Sequence, residues 1–324
     1  MSRSLSILIT YHSEKELLTE CLKSLAGQLD PCDEILIFDD ASEYPPQKYV
    51  PKGMFARVYR EETSKGPAYG RNFLLNKARG EFVHFHDADD WFSESWARRI
   101  RRLMISTPCE AIFTEVSSYK DGKLVAQEVL GLHEVNSPEK LLPFCIEKFM
   151  LVPSGTYKRE TVLKLGGYRE ALWQSEDFDF HVRLANSGVK FELILEPLVC
   201  IRLRPESRSQ KRDESLGDAV KALELLSAEV PSQYFPTLAR KAAKLGSDLF
   251  ELGYRKKARE AFHLAKRLGP VAFEHKPPFY QKIANLWGQE SAEWFALAYR
   301  AVVPKGMRER HRESSQSELE RSHS

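Results

Sequence analysis

Apolar residues in the first ninety positions recur in two alternating periods, two residues in some stretches and three to four in others. That is the sign of strands joined by helices in a mostly parallel sheet. Residues 5–10 (LSILIT) read as a buried strand, and 14–26 place Leu17, Leu18, Cys21, Leu22 and Leu25 on one helical face. Residues 34–38 (EILIF) read as a second strand, 57–59 as a short third, 68–78 as a helix and 82–85 as a fourth strand. A helix over 93–104 turns Trp96, Ile100, Leu103 and Met104 inward and leaves Arg98, Arg99, Arg101 and Arg102 to a solvated face. Further strands are predicted at 111–116, 151–157 and 191–195. The fold class is therefore α/β. Past Arg208 the pattern changes: 209–218 read as a polar linker and 219–305 as an all-α region. Within it, residues 238–270 carry the small and large positions of a tetratricopeptide-like hairpin. Residues 306–324 are almost without apolar side chains and read as a disordered tail.

Composition narrows the class. The chain of 324 residues has 48 Lys+Arg against 46 Asp+Glu, too even a balance for a protein whose main partner is nucleic acid. The five cysteines are scattered and form no CxxC pair, which suits a reducing, cytoplasmic setting rather than a disulfide framework or zinc site. No apolar run approaches the roughly 18–20 residues that span a bilayer. The even balance is a sum of unlike parts: residues 1–210 carry net −3 and residues 211–324 net +5. The basic half is expected to face anionic membrane or an acidic protein partner peripherally.

Two predicted strands run into carboxylates, the second into Asp39 and Asp40 and the fourth into Asp87, Asp89 and Asp90. The carboxyl ends of strands in an open α/β sheet are where ligands bind, and paired acidic clusters there ask for a cation. Asp90 is also placed to cap the helix that follows, and Asp179 reads as a solvated helix carboxylate. His84 and His86 share one strand face and read as packed beneath the site.

Four segments in order, ILITYH, CLKSLAGQLDPCDEILIFDDAS, GPAYGRNFLLNKARGEFVHFHDADDW and GGYREALWQSEDFDFHVRLANSG, closely resemble the family 2 inverting glycosyltransferases of GT-A fold. The resemblance covers residues 5–208. It implies a GT-A domain at 1–208, with helices on both faces of its sheet, that moves a sugar from a nucleotide-sugar donor to an acceptor hydroxyl. The acceptor is expected to be a surface glycan or its lipid-linked precursor.

Residue by residue, the resemblance assigns Thr10 and Tyr11 to packing on the donor base and Asp40 to accepting from a base N–H, which favours UDP. Arg71 contacts the base edge or diphosphate, and Asp89 ligates a divalent cation, Mn²⁺ or Mg²⁺, with Asp87 reaching the ribose or the metal. Asp177 is the general base and Glu176 orients the acceptor. Gly166, Gly167 and Tyr168 match a loop near the acceptor. Many members carry a His after the last strand; here Arg204 stands at that place, with Arg202 and Arg208 nearby. Arg cannot bind a cation but pairs with phosphate. A sugar-phosphate nucleotidyltransferase would need a Gly-rich phosphate loop near the N-terminus, which is missing from ILITYHSEKELL. The other rival is a silent transferase fold that recruits a partner through its helical C-terminal region; it would have no use for Asp87, Asp89 and Asp177 together.

Overall fold

The computed structural model describes residues 3–205, 212–273, 276 and 278–302. It divides into two compact units at Val230/Pro231. The first runs β1 (Leu5–Tyr11), α1 (Glu16–Ser24), β2 (Glu34–Asp40), β3 (Arg57–Glu61), α2 (Pro67–Lys77), β4 (Phe82–Asp87), β5 (Trp91–Phe92) and α3 (Trp96–Ser106). It continues through β6 (Ala111–Lys120), β7 (Lys123–Ala126), α4 (Leu141–Glu147), β8 (Gly155–Lys158), α5 (Arg159–Leu165), α6 (Glu176–Asn186), β9 (Phe191–Arg202) and α7 (Arg212–Leu226).

The described strands form one mixed sheet in the order β3-β2-β1-β4-β8-β6-β9-β5, with β7 on β6. β1 is an inner strand: Leu5 to Ile9 are buried without a break, as in a parallel strand covered on both faces. It pairs parallel with β2 and β4. β8 lies antiparallel between β4 and β6, and β6 pairs parallel with β9. The strand expected over 151–157 begins only at Gly155, because Pro153 has no N–H for a ladder and the chain before it closes a 3₁₀ turn. β9 reaches Arg202, well past the expected end at 195, by absorbing a register shift around Pro197.

The arginine face of α3 departs from expectation. Arg101 pairs with Asp33 at 2.5 Å and Asp30 at 3.1 Å in the loop before β2, and Arg99 with Glu196 of β9 at 2.6 Å, so two of the four are held by neighbouring segments. Asp90 does not cap α3; it is buried and its Oδ1 accepts the Arg202 N–H at 2.8 Å.

The stretch expected as a linker over 209–218 is helical from Arg212, and α7 belongs with the first unit. Its Ala219, Ala222, Leu223 and Leu226 are buried, while Glu214 and Asp218, the charges that suggested a linker, accept hydrogen bonds from the loop before α6. Arg208 and residues 306–324 lie outside the described residues.

The second unit contains α8 (Phe235–Glu251), α9 (Arg255–Leu268), α10 (Pro278–Trp287) and α11 (Gln289–Val302). α8 and α9 pack as a helical pair over the stretch where a tetratricopeptide-like hairpin was expected. Gly246 sits so close to Phe262 that a Cβ there would lie 2.3 Å from its ring. α11 brings in a buried carboxylate, Glu293, whose Oε1 accepts from Ser247 Oγ and Tyr280 OH at 2.5 Å each and from Lys276 Nζ at 2.9 Å. Among the described residues no helix is long and apolar enough to cross a membrane.

Candidate active site

The carboxyl ends of β1, β2 and β4 lie side by side: Thr10 is in register with Phe38 and Asp87, and Tyr11 with Asp39. Asp87 ends β4, and Asp89 and Asp90 lie on the turn that follows. One Asp87 oxygen, Oδ1, accepts from Thr10 Oγ1 at 3.1 Å and from Arg71 Nη2 at 2.9 Å.

Arg71 is the centre of the arrangement. It lies on the inner face of α2, 2% exposed, and its other terminal nitrogen donates to Glu176 Oε1 at 2.6 Å. Burial opposes its charge, but Asp87 and Glu176 outweigh burial and hold the guanidinium protonated. The Tyr168 ring lies 5.3 Å away, in cation–π range. Arg71 was expected at a base edge or diphosphate; instead it is a buried clamp between the two acidic motifs. α2 can approach so closely because Gly70 faces Phe38, where a Cβ would come within 2.6 Å of the ring.

Glu176 and Asp177 open α6. Asp177 Oδ1 accepts from the Phe178 N–H at 2.8 Å. Its carboxyl is pushed up to about 7 by burial first and by Glu176 next, against the pull of Arg71 and the Phe178 N–H. A half-buried carboxylate poised there can take a proton near neutrality. The glycine loop is fastened beside it. Gly167, at φ +66°, leaves no room for a Cβ beside Asn72 Oδ1, 2.3 Å away, and its carbonyl accepts from Arg183 Nη2 at 2.7 Å. Asp179, expected in solvent, is fully buried and holds this frame through Arg169 at 2.6 Å and Arg183 at 2.8 Å.

One donor-side assignment changes and a second is narrowed. Tyr11 is 1% exposed and its hydroxyl donates to the Tyr44 carbonyl at 2.7 Å, so its ring fixes the loop after β2 instead of offering a face to a base. Asp40 accepts from Ser64 Oγ, Lys65 N and Gly66 N at 2.7, 2.6 and 3.1 Å, capping the approach to α2. A carboxylate has about four lone-pair positions, so about one is left for a ligand. His84 and His86 are buried beneath the turn, as their strand face implied. Burial keeps both neutral, His86 down to about 4, and His86 stacks on Phe92 at 3.9 Å.

Asp89 is paired with Arg204, which comes off the end of β9. Burial, with the charge of Asp87, raises the Asp89 carboxyl, and Arg204 pulls it back. Arg202 closes the same corner: its Nε donates to the Asp89 carbonyl at 3.1 Å and its guanidinium lies 4.9 Å from the Trp91 ring. Among the described residues no three His, Cys, Asp or Glu side chains gather as a ready-made metal site. Asp87 and Asp89 still fit Mg²⁺ or Mn²⁺: they are hard oxygen donors at one turn, and such ions are held by one or two carboxylates with phosphate and water completing the shell.

Sequence reasoning missed Glu14, in the loop after β1. Burial first, then nearby Asp89, push its carboxyl up to about 7, against the His12 N–H and Arg204. Its position two residues after the TYH segment was the available signal.

Parallel strands ending on an acid turn, with a carboxylate pair at the start of a facing helix, are the arrangement that the four sequence segments implied for a GT-A fold. Residues 6–160 match the family model for glycosyl transferase family 2, and the first unit belongs to that family. An uncharacterized glycosyltransferase of Haemophilus influenzae is 28% identical over 193 residues, 56% of this chain and 61% of that protein. The chain thus spans less than two thirds of that relative's length. The poly(ribitol-phosphate) beta-N-acetylglucosaminyltransferase TarS of Staphylococcus aureus is 40% identical over 164 residues, 49% of this chain and 28% of that protein. Among solved structures, S. aureus TarS 1-349 in complex with UDP-GlcNAc superposes with a TM-score of 0.66 at 17% identity, over 92% of each chain. The mannosyltransferase PcManGT of Pyrobaculum calidifontis, in complex with GDP-Man and Mn²⁺, gives 0.54 at 17% identity, over 93% of this chain and 87% of that one.

Proposed function

We propose that the protein transfers a sugar from a nucleotide-sugar donor, UDP-linked, to an acceptor hydroxyl with inversion at the anomeric carbon. The observation that carries this reading is Asp177: a half-buried carboxyl held near 7 at the start of α6 and tied through Glu176 and Arg71 to Asp87.

In the proposed reaction Asp177 takes the proton of the acceptor hydroxyl as its oxygen bonds to the anomeric carbon. The bond from that carbon to the diphosphate oxygen breaks on the opposite face, and its electron pair leaves with the nucleoside diphosphate. Glu176, fixed by Arg71, orients the acceptor side. Asp89 and Asp87 are the residues that would hold the divalent cation, which neutralises charge developing on the leaving group. Arg204 is the further phosphate contact: it reaches Asp89 through Nη2, and its Nε has no hydrogen-bond partner among the described residues. Thr10 helps orient Asp87 from below.

UDP is supported by the acceptor position left on Asp40 and by the UDP-GlcNAc in the TarS complex, against the GDP-Man of PcManGT. The similarity to TarS, a poly(ribitol-phosphate) beta-N-acetylglucosaminyltransferase, supports a surface glycan or lipid-linked acceptor. Donor hydrolysis across UDP- and GDP-sugars, with Mn²⁺ or Mg²⁺, tests the reading. Turnover of a UDP-sugar that Asp89→Ala and Asp177→Asn each abolish is expected. Equal rates in those variants would defeat it.

A further inference from the structure

Helix α7 lies outside every motif described so far, yet it takes up the backbone from which the base projects. Asp218 Oδ2 accepts the N–H of Trp173 at 3.1 Å and of Gln174 at 2.8 Å. Ser175 Oγ donates to the Ser215 carbonyl at 3.0 Å, and Lys221 Nζ to the Ala171 carbonyl at 2.5 Å. Gln174 Nε2 donates to Glu214 at 3.3 Å. Every one of these partners is on α7.

The segment needs such holding. Ser175 is the N-cap residue of α6 and has φ +60°, a left-handed conformation that an L side chain rarely adopts, and its side chain makes no cap hydrogen bond to the helix. Residues in such conformations persist where their surroundings over-determine them. Glu176 and Asp177 follow directly, so a relaxation of Ser175 would swing both carboxylates. Trp173 ties the same segment to the start of α2, where a Cβ on Gly66 would meet the Trp173 ring at 2.9 Å.

We propose that Asp218 is a positioning residue for the general base, acting through the backbone of Trp173 and Gln174 to hold Ser175 in its left-handed turn. The proposal rests on the assignment of Asp177 as base. Asp218 acts as a hydrogen-bond acceptor in this role, so its neutral isostere should serve.

Asp218→Ala is expected to lower kcat about 100-fold, the order that an ångström of misplacement costs. KM for the donor should change much less than kcat, because the segment reaches the donor-side carboxylate Asp87 only indirectly, through Glu176 and Arg71. Asp218→Asn should recover kcat to within about fivefold. Hydrogen exchange supplies a readout independent of turnover: the Trp173 and Gln174 amides should exchange faster in Asp218→Ala and normally in Asp218→Asn. If Asp218→Ala does not fold, Lys221→Met, which removes an exposed contact of the same helix, should lower kcat about fivefold at unchanged donor KM. The proposal is overturned by unchanged kcat in these variants, by equal loss in Ala and Asn, or by unchanged exchange at 173 and 174. A wild-type protein that turns over no donor would defeat the transferase reading, and the exchange result would still decide whether Asp218 anchors the loop.

Discussion

Asp177 and Arg71 show how differently two residues of one site are exposed to inference. Asp177 was legible because its function depends on local placement, an acidic pair at the start of an amphipathic helix. Arg71 was placed in the site but given the wrong partners, because its true ones stand 105 residues away at Glu176 and 16 away at Asp87, and only the fold joins them. Tyr11 was misplaced likewise, its side chain taken up by a loop whose course the sequence did not define, whereas Asp40 keeps about one acceptor position beside its three loop contacts. For Asp177 the pH behaviour follows from its surroundings, with burial first and then Glu176 and Asp87 raising its pKa, and Arg71 and the Phe178 N–H lowering it. Transfer should rise with pH through about 7, since the base must be deprotonated, and Asp177→Asn should lower kcat by about 10²–10⁴ while donor binding persists. The same shift has a cost in stability. A carboxyl whose pKa is higher folded than unfolded loses stability as pH rises between the two values, so Asp177→Asn should be the more stable protein at pH 8. About 1–2 kcal/mol in urea denaturation is expected, discounted for partial solvent access, with the gain vanishing near pH 4. Arg71→Ala should be destabilising by about 3–5 kcal/mol, because it leaves Asp87 and Glu176 facing each other without their cation. A thermal melt checks it.

At the scale of elements, hydrophobic period identified most strands and helices and erred where something besides burial decided. Pro153 cut short one strand and Pro197 allowed another to extend. α7 was hidden because its charges resemble a linker, whereas Glu214 and Asp218 are committed to loop amides and side chains. The pairing of α8 and α9 brings small residues of one helix against large residues of the other. It makes a sharp prediction. Gly246→Ala gains about 1 kcal/mol of helix propensity, yet its Cβ meets the Phe262 ring at 2.3 Å, and overpacking costs about 1–3 kcal/mol. A lower melting temperature is therefore expected; a higher one would show that Phe262 moves aside freely.

For the whole molecule, charge is divided more sharply along the unit boundary than along the linker expected from sequence. Residues 231–324 hold 17 Lys+Arg against 10 Asp+Glu, net +7, which leaves net −5 for residues 1–230. We expect this basic half to bring the protein to anionic surfaces: it should sediment with phosphatidylglycerol vesicles at low salt, not with phosphatidylcholine vesicles, and should be released by about 0.5 M salt. Equal sedimentation with both lipids would remove the idea. The chain by itself determined the alternation of strands and helices, the acid turn at Asp87 and Asp89, the Glu176–Asp177 pair and the glycine loop before it, because each is set by neighbours within a few residues. Only the tertiary structure decided which charges meet: Arg71 with Asp87 and Glu176, Arg204 with Asp89, Asp218 with the Trp173 and Gln174 amides. Those contacts join segments tens of residues apart, and their energies depend on burial, which exists only once the sheet has closed over them.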